Sequence, residues 1–205
     1  HKRLLAQYRQ LARQLTEARH GLANEFEKNM MAQLKDLGMG NTIFQVSFAI
    51  RPEGKIFMPQ SVGDDVIEFM ISPNPGEPLK PLSKIASGGE LSRLMLAIKS
   101  LEAEKGGVGT MVFDEIDTGV SGRIADAMGE IICALAETMQ VVDITHLPQV
   151  ASKGSTHFVV YKRDGETHIA RLTPDERTTE IAKMLSGSEV TEAAMTQARI
   201  LLGGK

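Results

Sequence analysis

Two short apolar runs, Met111-Val112-Phe113 and Val141-Val142, constrain this chain more than any other feature, because each follows a helical pattern. Apolar residues at Leu91, Leu94, Met95, Ile98 and Leu101 have the spacing of one helix face, and "TMVFD" comes next. A second such face, Ile124, Met128, Ile131 and Leu135, leads into "VVDIT". Helices alternating with apolar strands predict a parallel sheet covered on both faces. Asp143 departs from this pattern, since it stands where an apolar residue is expected. If its strand is central, the carboxyl needs a partner or water.

The flanking regions follow other patterns. "NTIFQVSFAI" and "DDVIEFMIS" are rich in β-branched and aromatic residues and predict an antiparallel pair. "SPNPGEPLKPLSKIA" carries four of the eight prolines and is expected as an extended loop. "THFVVYKRDGETHIARL" predicts a hairpin turning at Asp164-Gly165, and two helices over about 175–185 and 190–202 finish the chain.

At the other end, Leu4, Tyr8, Leu11, Leu15, Ala18 and Leu22 alternate in steps of four and three, a heptad seam that predicts coiled-coil packing. Phe26, Met30 and Leu34 follow in successive fours, so the stripe drifts round the helix and the supercoil relaxes there. An amphipathic helix packed on its own domain is the competing reading. Gly38 and Gly40 end the helix, which divides the chain into an arm (1–38) and a globular lobe (39–205). Lys2, Arg3, Arg9, Arg13 and Arg19 on the arm suit either a solvated coiled-coil face or contact with DNA phosphates. His1 is not an initiator and the first residues already read as mid-helix, so a C-terminal piece of something longer is expected.

A length of 205 residues suffices for one sizeable core with an appendage. The formal charge of −3 gives no whole-chain nucleic-acid footprint. Cys133 is the only cysteine and can form no internal disulfide, which suits a reducing cytosol. No apolar run approaches the ~18 residues of a membrane-spanning helix.

Three constellations carry chemistry. In "SGGELSR", Gly88 and Gly89 allow close backbone approach, and the helix opening there presents free N–H groups to an anion such as phosphate. Ser87 with Glu90 also reads as a capping box, which needs no ligand. A cap alone does not ask for two glycines, which cost the first turn up to ~1 kcal/mol each. In "TMVFDEID", Asp114 and Glu115 end the strand where open α/β sheets place their ligands, with Asp117 close behind. Such acids invite Mg²⁺ at Asp114 and leave Glu115 to polarise an attacking water, whereas a solvated or helix-capping pair is the simpler alternative. In "VVDITHLPQV", His146 follows the neighbouring strand, is expected on the same edge as Glu115, and can donate to a phosphoryl oxygen. No G-x-x-x-x-G-K-S/T loop is present: Gly54-Lys55 is followed by Ile56, and Gly204-Lys205 is terminal.

From about Leu82 to Leu202 these motifs together resemble the second lobe of ABC-type ATPase heads of the SMC family. "SGGELSRLMLAIK", "FDEIDTGVSG" and "THLPQVA" are most similar to its bacterial DNA-repair members. The resemblance implies an α/β fold, the C-terminal lobe of a P-loop ATPase head with a mixed, mainly parallel sheet flanked by helices and an N-terminal coiled-coil stub. It implies that Ser87, Gly88 and Gly89 form the signature loop, opened into its helix by Glu90, and reach the γ-phosphate of ATP on an opposing head. Asp114 supports Mg²⁺, Glu115 is the general base, Asp117 with "TGVSG" forms the loop between heads, and His146 is the γ-phosphate switch. The implied partners are the N-terminal lobe carrying the Walker A loop, a second copy through ATP-bridged heads, and DNA, in the bacterial cytoplasm and not a membrane. Without that lobe the chain is expected to be inactive alone. Other SMC-family or transporter heads, a DNA-tethering or dimerising module, and a stand-alone metal hydrolase using Asp114, Glu115 and His146 are the competing readings.

Overall fold

A computed structural model describes residues 2–50, 59–85, 88–103, 108–187 and 189–203. The chain divides into two units, His1–Leu101 and Glu102–Lys205.

The first unit begins with helix α1 (Lys2–Asp36), a 35-residue element without proline. It ends where Gly38 turns to φ 75, with Met39 N–H donating to Leu34 O at 2.8 Å. A glycine supplies that left-handed conformation without a Cβ clash, and the returning N–H satisfies one of the helix's last carbonyls. One face of α1 lies on strands β1 (Ile43–Ile50) and β2 (Asp65–Ser72), which pair antiparallel from Ile43↔Ser72 to Ile50↔Asp65 as expected. Met30, Leu34, Phe44 and Ile71 are buried, and the rings of Phe26, Phe44 and Phe69 cluster with centroids 5.5–5.8 Å apart. The Val46 N–H of β1 donates to Glu27 Oε1 at 2.7 Å, which satisfies a strand N–H from the helix.

The heptad seam is split. Tyr8 turns to the hairpin side, donating to Asp64 Oδ1 at 2.5 Å, and Ala12 and Ala23 are buried. Leu4, Leu11 and Leu22 stay 70%, 65% and 59% exposed. One stripe of α1 thus packs on its own sheet, the competing reading, and the adjacent leucine stripe stays bare.

Strand β3 (Lys80–Pro81) pairs with β2 inside the segment expected as unbroken loop. Pro81 is tolerated because a sheet-edge strand can spare an N–H. The intervening turn is held by the Ser72 hydroxyl, placed 3.0 Å from Asn74 O and 2.8 Å from Glu77 O. A 3-10 turn (Leu82–Lys84) leads toward helix α2 (Gly88–Ala103). That helix buries Leu94, Leu96 and Ala97 and leaves Leu91 and Met95 partly exposed, so its covered face is rotated from the expected one.

In the second unit, strand β4 (Thr110–Asp114) pairs in parallel with β5 (Gln140–Ile144) across helix α3 (Gly122–Leu135). Among the described residues parallel pairing is confined to these two strands. Phe113 is buried and aligned with Asp143. Val112, Val142 and Ile144, on the opposite face, are 61%, 44% and 50% exposed, so the expected cover on both faces is present on one only. The cause is the strand's two-residue period: the same apolar run supplies both faces, and within this unit only one has neighbours.

Helix α4 (Pro148–Ala151) follows, then hairpin β6 (Phe158–Arg163) and β7 (Glu166–Arg171). Its turn is the expected Asp164-Gly165 pair, at φ 53 and 84, the double left-handed geometry of a two-residue hairpin loop. Helix α5 (Pro174–Ser186) starts on a Thr173/Glu176 capping box and packs Ile181 and Ala182 against Ala194 and Ala198 of helix α6 (Glu192–Leu201). No described helix is long and apolar enough to cross a membrane.

The contact holding α1 to its hairpin is testable. Asp65 accepts from Thr16 Oγ1 at 2.7 Å and from Arg19 Nη1 at 2.8 Å. Burial pushes this carboxyl up, but the Arg19 and Thr16 hydrogen bonds and the Arg19 and His20 charges outweigh it and hold it below the ordinary value. Its stabilisation is therefore present above about pH 4 and lost as pH falls through the lowered folded value. Asp65→Asn is expected to lower urea-denaturation stability at neutral pH by roughly 1–3 kcal/mol, with the difference from wild type fading in acid.

Candidate functional site

Strand β4 stops at Asp114, and the backbone then breaks sharply. Glu115 adopts φ 49, rare for a residue with a Cβ and costing roughly 1–2 kcal/mol. Its N–H donates to Ile144 O at 2.9 Å, which carries the β4–β5 ladder one step past the strand. Thr118 returns to Glu115 O through Oγ1 at 2.8 Å and N–H at 3.3 Å, and Val120 N–H bonds Asp117 O at 3.2 Å. This folded turn presents Asp114 and Glu115 to solvent and drives Asp117 inward, with 1% of its surface exposed. Gly119 (φ 78) and Gly122 (φ 55) supply the left-handed corners of "TGVSG" before α3.

The neighbouring strand delivers the other half. Past Ile144, the Thr145 hydroxyl donates to Asp117 Oδ2 and accepts from Leu147 N–H at 2.9 Å. His146 lies between those anchors, with Nδ1 3.8 Å from Asp117 Oδ1 and its side chain 59% exposed. The structure thus brings Asp114, Glu115, Asp117 and His146 to one edge of the parallel pair.

Gly88, Gly89 and Glu90 form the first turn of α2 in the other unit. Gly88 is exposed, and a Cβ built on it would meet nothing within 4 Å. The surroundings leave room for a body to approach that backbone. Ser87, and with it the capping box to Glu90, lies outside the described residues.

Two residues complete the picture. Spacing does not single out Thr145; its signal is a hydroxyl between a strand end and a histidine. Asp143, facing the covered side beside Phe113, has its carboxyl pushed up to about 6, first by burial and then by the Asp117 charge.

Among the described residues no group of three His, Cys, Asp or Glu side chains could hold a metal by itself. Mg²⁺ usually takes one or two carboxylates and completes its shell with phosphate oxygens and water. An exposed Asp114 at a strand end fits that lesser demand.

No family profile matches the chain. It is 44% identical over 192 residues to the DNA repair protein RecN of Halalkalibacterium halodurans, covering 92% of this chain and 34% of that protein. It is 41% identical over 205 residues to RecN of Bacillus subtilis, covering 93% and 36%. The chain therefore spans about a third of the length of the curated relatives it matches. Among solved structures, the Smc head domain with coiled coil and joint from Pyrococcus yayanosii aligns at TM-score 0.60 and 17% identity, over 78% of this chain and 29% of that one. A chain solved in work on ATP-driven dimerization and DNA-stimulated activation of SMC ATPases aligns at 0.54 and 16%, over 84% and 99%. The α/β fold is that of an SMC head.

The raised Asp143 carboxyl gives a pH-dependent prediction. The folded state binds this proton more tightly than the unfolded chain, so stability falls as pH rises from about 4 through about 6. Asp143→Asn, uncharged throughout, is expected to be more stable than wild type at pH 8 by on the order of 1–3 kcal/mol. Thermal melts across pH should show that advantage shrinking to nothing near pH 4.

Proposed function

Starting from a chain that is RecN-like in sequence and SMC-head-like in fold, we propose that it forms the hydrolytic half of an ATPase head acting in DNA double-strand-break repair. One observation carries the proposal: the parallel pair ends with Asp114 and Glu115 beside the turn that holds His146. ATP is the substrate, held by a Walker A loop in a lobe outside this chain. Asp114 would hold the Mg²⁺ that accompanies it, and that ion would supply charge to offset the phosphates. Glu115 orients and polarises the attacking water, and His146 donates to a phosphoryl oxygen. Positioning and charge neutralisation supply most of the acceleration in such phosphoryl transfers.

Ser87, Gly88, Gly89 and Glu90 act on a different nucleotide, the one bound by an opposing head. Two copies sandwich ATP in this arrangement, and hydrolysis separates them, coupling turnover to DNA tethering or movement in the bacterial cytoplasm. The exposed Val112, Val142 and Ile144 support a lobe that docks on the open face of β4–β5. The exposed Leu4, Leu11 and Leu22 support α1 as the end of a coiled-coil arm that takes a second helix.

In the complete protein, Glu115→Gln is expected to keep ATP affinity and lose turnover by about 10²–10⁴-fold, since a positioned general base is typically worth that much. Equilibrium nucleotide binding and steady-state phosphate release check the two halves. Turnover at the wild-type rate removes Glu115 from the mechanism.

A further inference from the structure

Asp117 poses a problem that nucleotide contact does not solve. Its side chain keeps 2% of its surface, too little for an acid that reaches across to another head. Burying a carboxylate is costly unless its oxygens are matched. Oδ2 is matched by the Thr145 hydroxyl. Oδ1 is buried with no hydrogen-bond partner, and His146 Nδ1 is the cationic-capable atom within ion-pair range, at 3.8 Å.

The geometry points to Asp117 as a positioning residue that acts through Thr145 and His146, holding the imidazole with Nδ1–H aimed at the carboxylate and Nε2 aimed outward, where the doubly protonated ring donates to a phosphoryl oxygen. The Thr145 hydroxyl ties the carboxylate to the Leu147 N–H, so the turn bearing His146 is clamped on both sides. A short reorientation of the half-exposed ring closes the remaining gap to Oδ1. The hydrogen bond made by one ring nitrogen decides the state of the other. With Nδ1–H held by Asp117, Nε2 hydrogen-bonds to the triphosphate as a donor only when a second proton has come from solvent, and that ring keeps both protons between two anions. A carboxylate behind a histidine sets the tautomer in the same way at other catalytic and metal sites.

This inference rests on His146 facing the nucleotide, as proposed above, and the test separates the two claims. In the complete protein with ¹⁵N-labelled histidine, His146 is expected to carry its neutral-state proton mainly on Nδ1. In Asp117→Asn, which preserves shape, and in Thr145→Val, which releases the clamp, the proton is expected to move mainly to Nε2. A tautomer ratio unchanged in both folded variants overturns the inference, whatever the protein hydrolyses.

Kinetics then give an independent reading. Asp117→Asn is expected to lower kcat for ATP roughly 10–100-fold with little change in KM, the scale typical of groups that orient a catalytic ligand. In a His146→Gln background the same substitution is expected to cost little more, because the two residues act as one unit. Full additivity of the two losses overturns the inference. Absence of ATP turnover in the wild-type complete protein overturns the proposed function instead, and the tautomer ratio still decides the role of Asp117.

Discussion

The parallel pairing of β4 with β5 is the constraint on which the candidate site depends. Its register sets Asp114 opposite Ile144, and one further hydrogen bond, Glu115 N–H to Ile144 O, carries the alignment into the loops. The acids after one strand and the histidine after the other are therefore neighbours although about thirty residues separate them in sequence. Slipping β5 by one residue against β4 would exchange the faces of β5, placing Asp143 on the exposed side with Val112. The apolar face fixes the register, and the register fixes the chemistry.

The loops beyond these strands are under more strain than the strands themselves. Glu115 sits in a left-handed conformation and Asp117 is buried with one oxygen unmatched, while Asp143, within β5 beside them, has its carboxyl pushed up to about 6 by burial and the Asp117 charge. Each feature opposes stability, and all three lie within one edge of a two-stranded sheet. Strain of this kind persists where surrounding structure over-determines it, and it gathers at sites that must hold a fixed geometry. Elsewhere in this unit the Thr173 capping box and the Ile181–Ala198 helix pair have ordinary local order.

Much of the fold was legible because its signals are local. The Asp164-Gly165 turn, the β1–β2 alternation and the helix-strand-helix-strand order each depend on residues close in sequence, and the structure has them where the pattern set them. The features that were not legible depend on what lies opposite. Which stripe of α1 is covered is decided by the hairpin beneath it, so the leucine seam and the buried stripe interleave where one seam was expected. Leu91 and Met95 fit a helical face equally well buried or exposed. The open side of β4–β5 reads as core, because an apolar strand does not say which of its faces finds a neighbour. At the site, acids at a strand end announce themselves, whereas the inward turn of Asp117 and the hydroxyl clamp of Thr145 exist only once the two loops meet.

The central claim is that this chain contributes catalysis to a triphosphate held by another lobe. The most direct measurement is ATP turnover by the purified chain alone, then after mixing with a separately produced lobe carrying the Walker A loop, with Glu115→Gln chain as control. The account predicts no saturable hydrolysis by the chain, turnover on mixing, and none with the control. Saturable hydrolysis by the chain alone, or equal turnover with the Glu115→Gln chain, would contradict it.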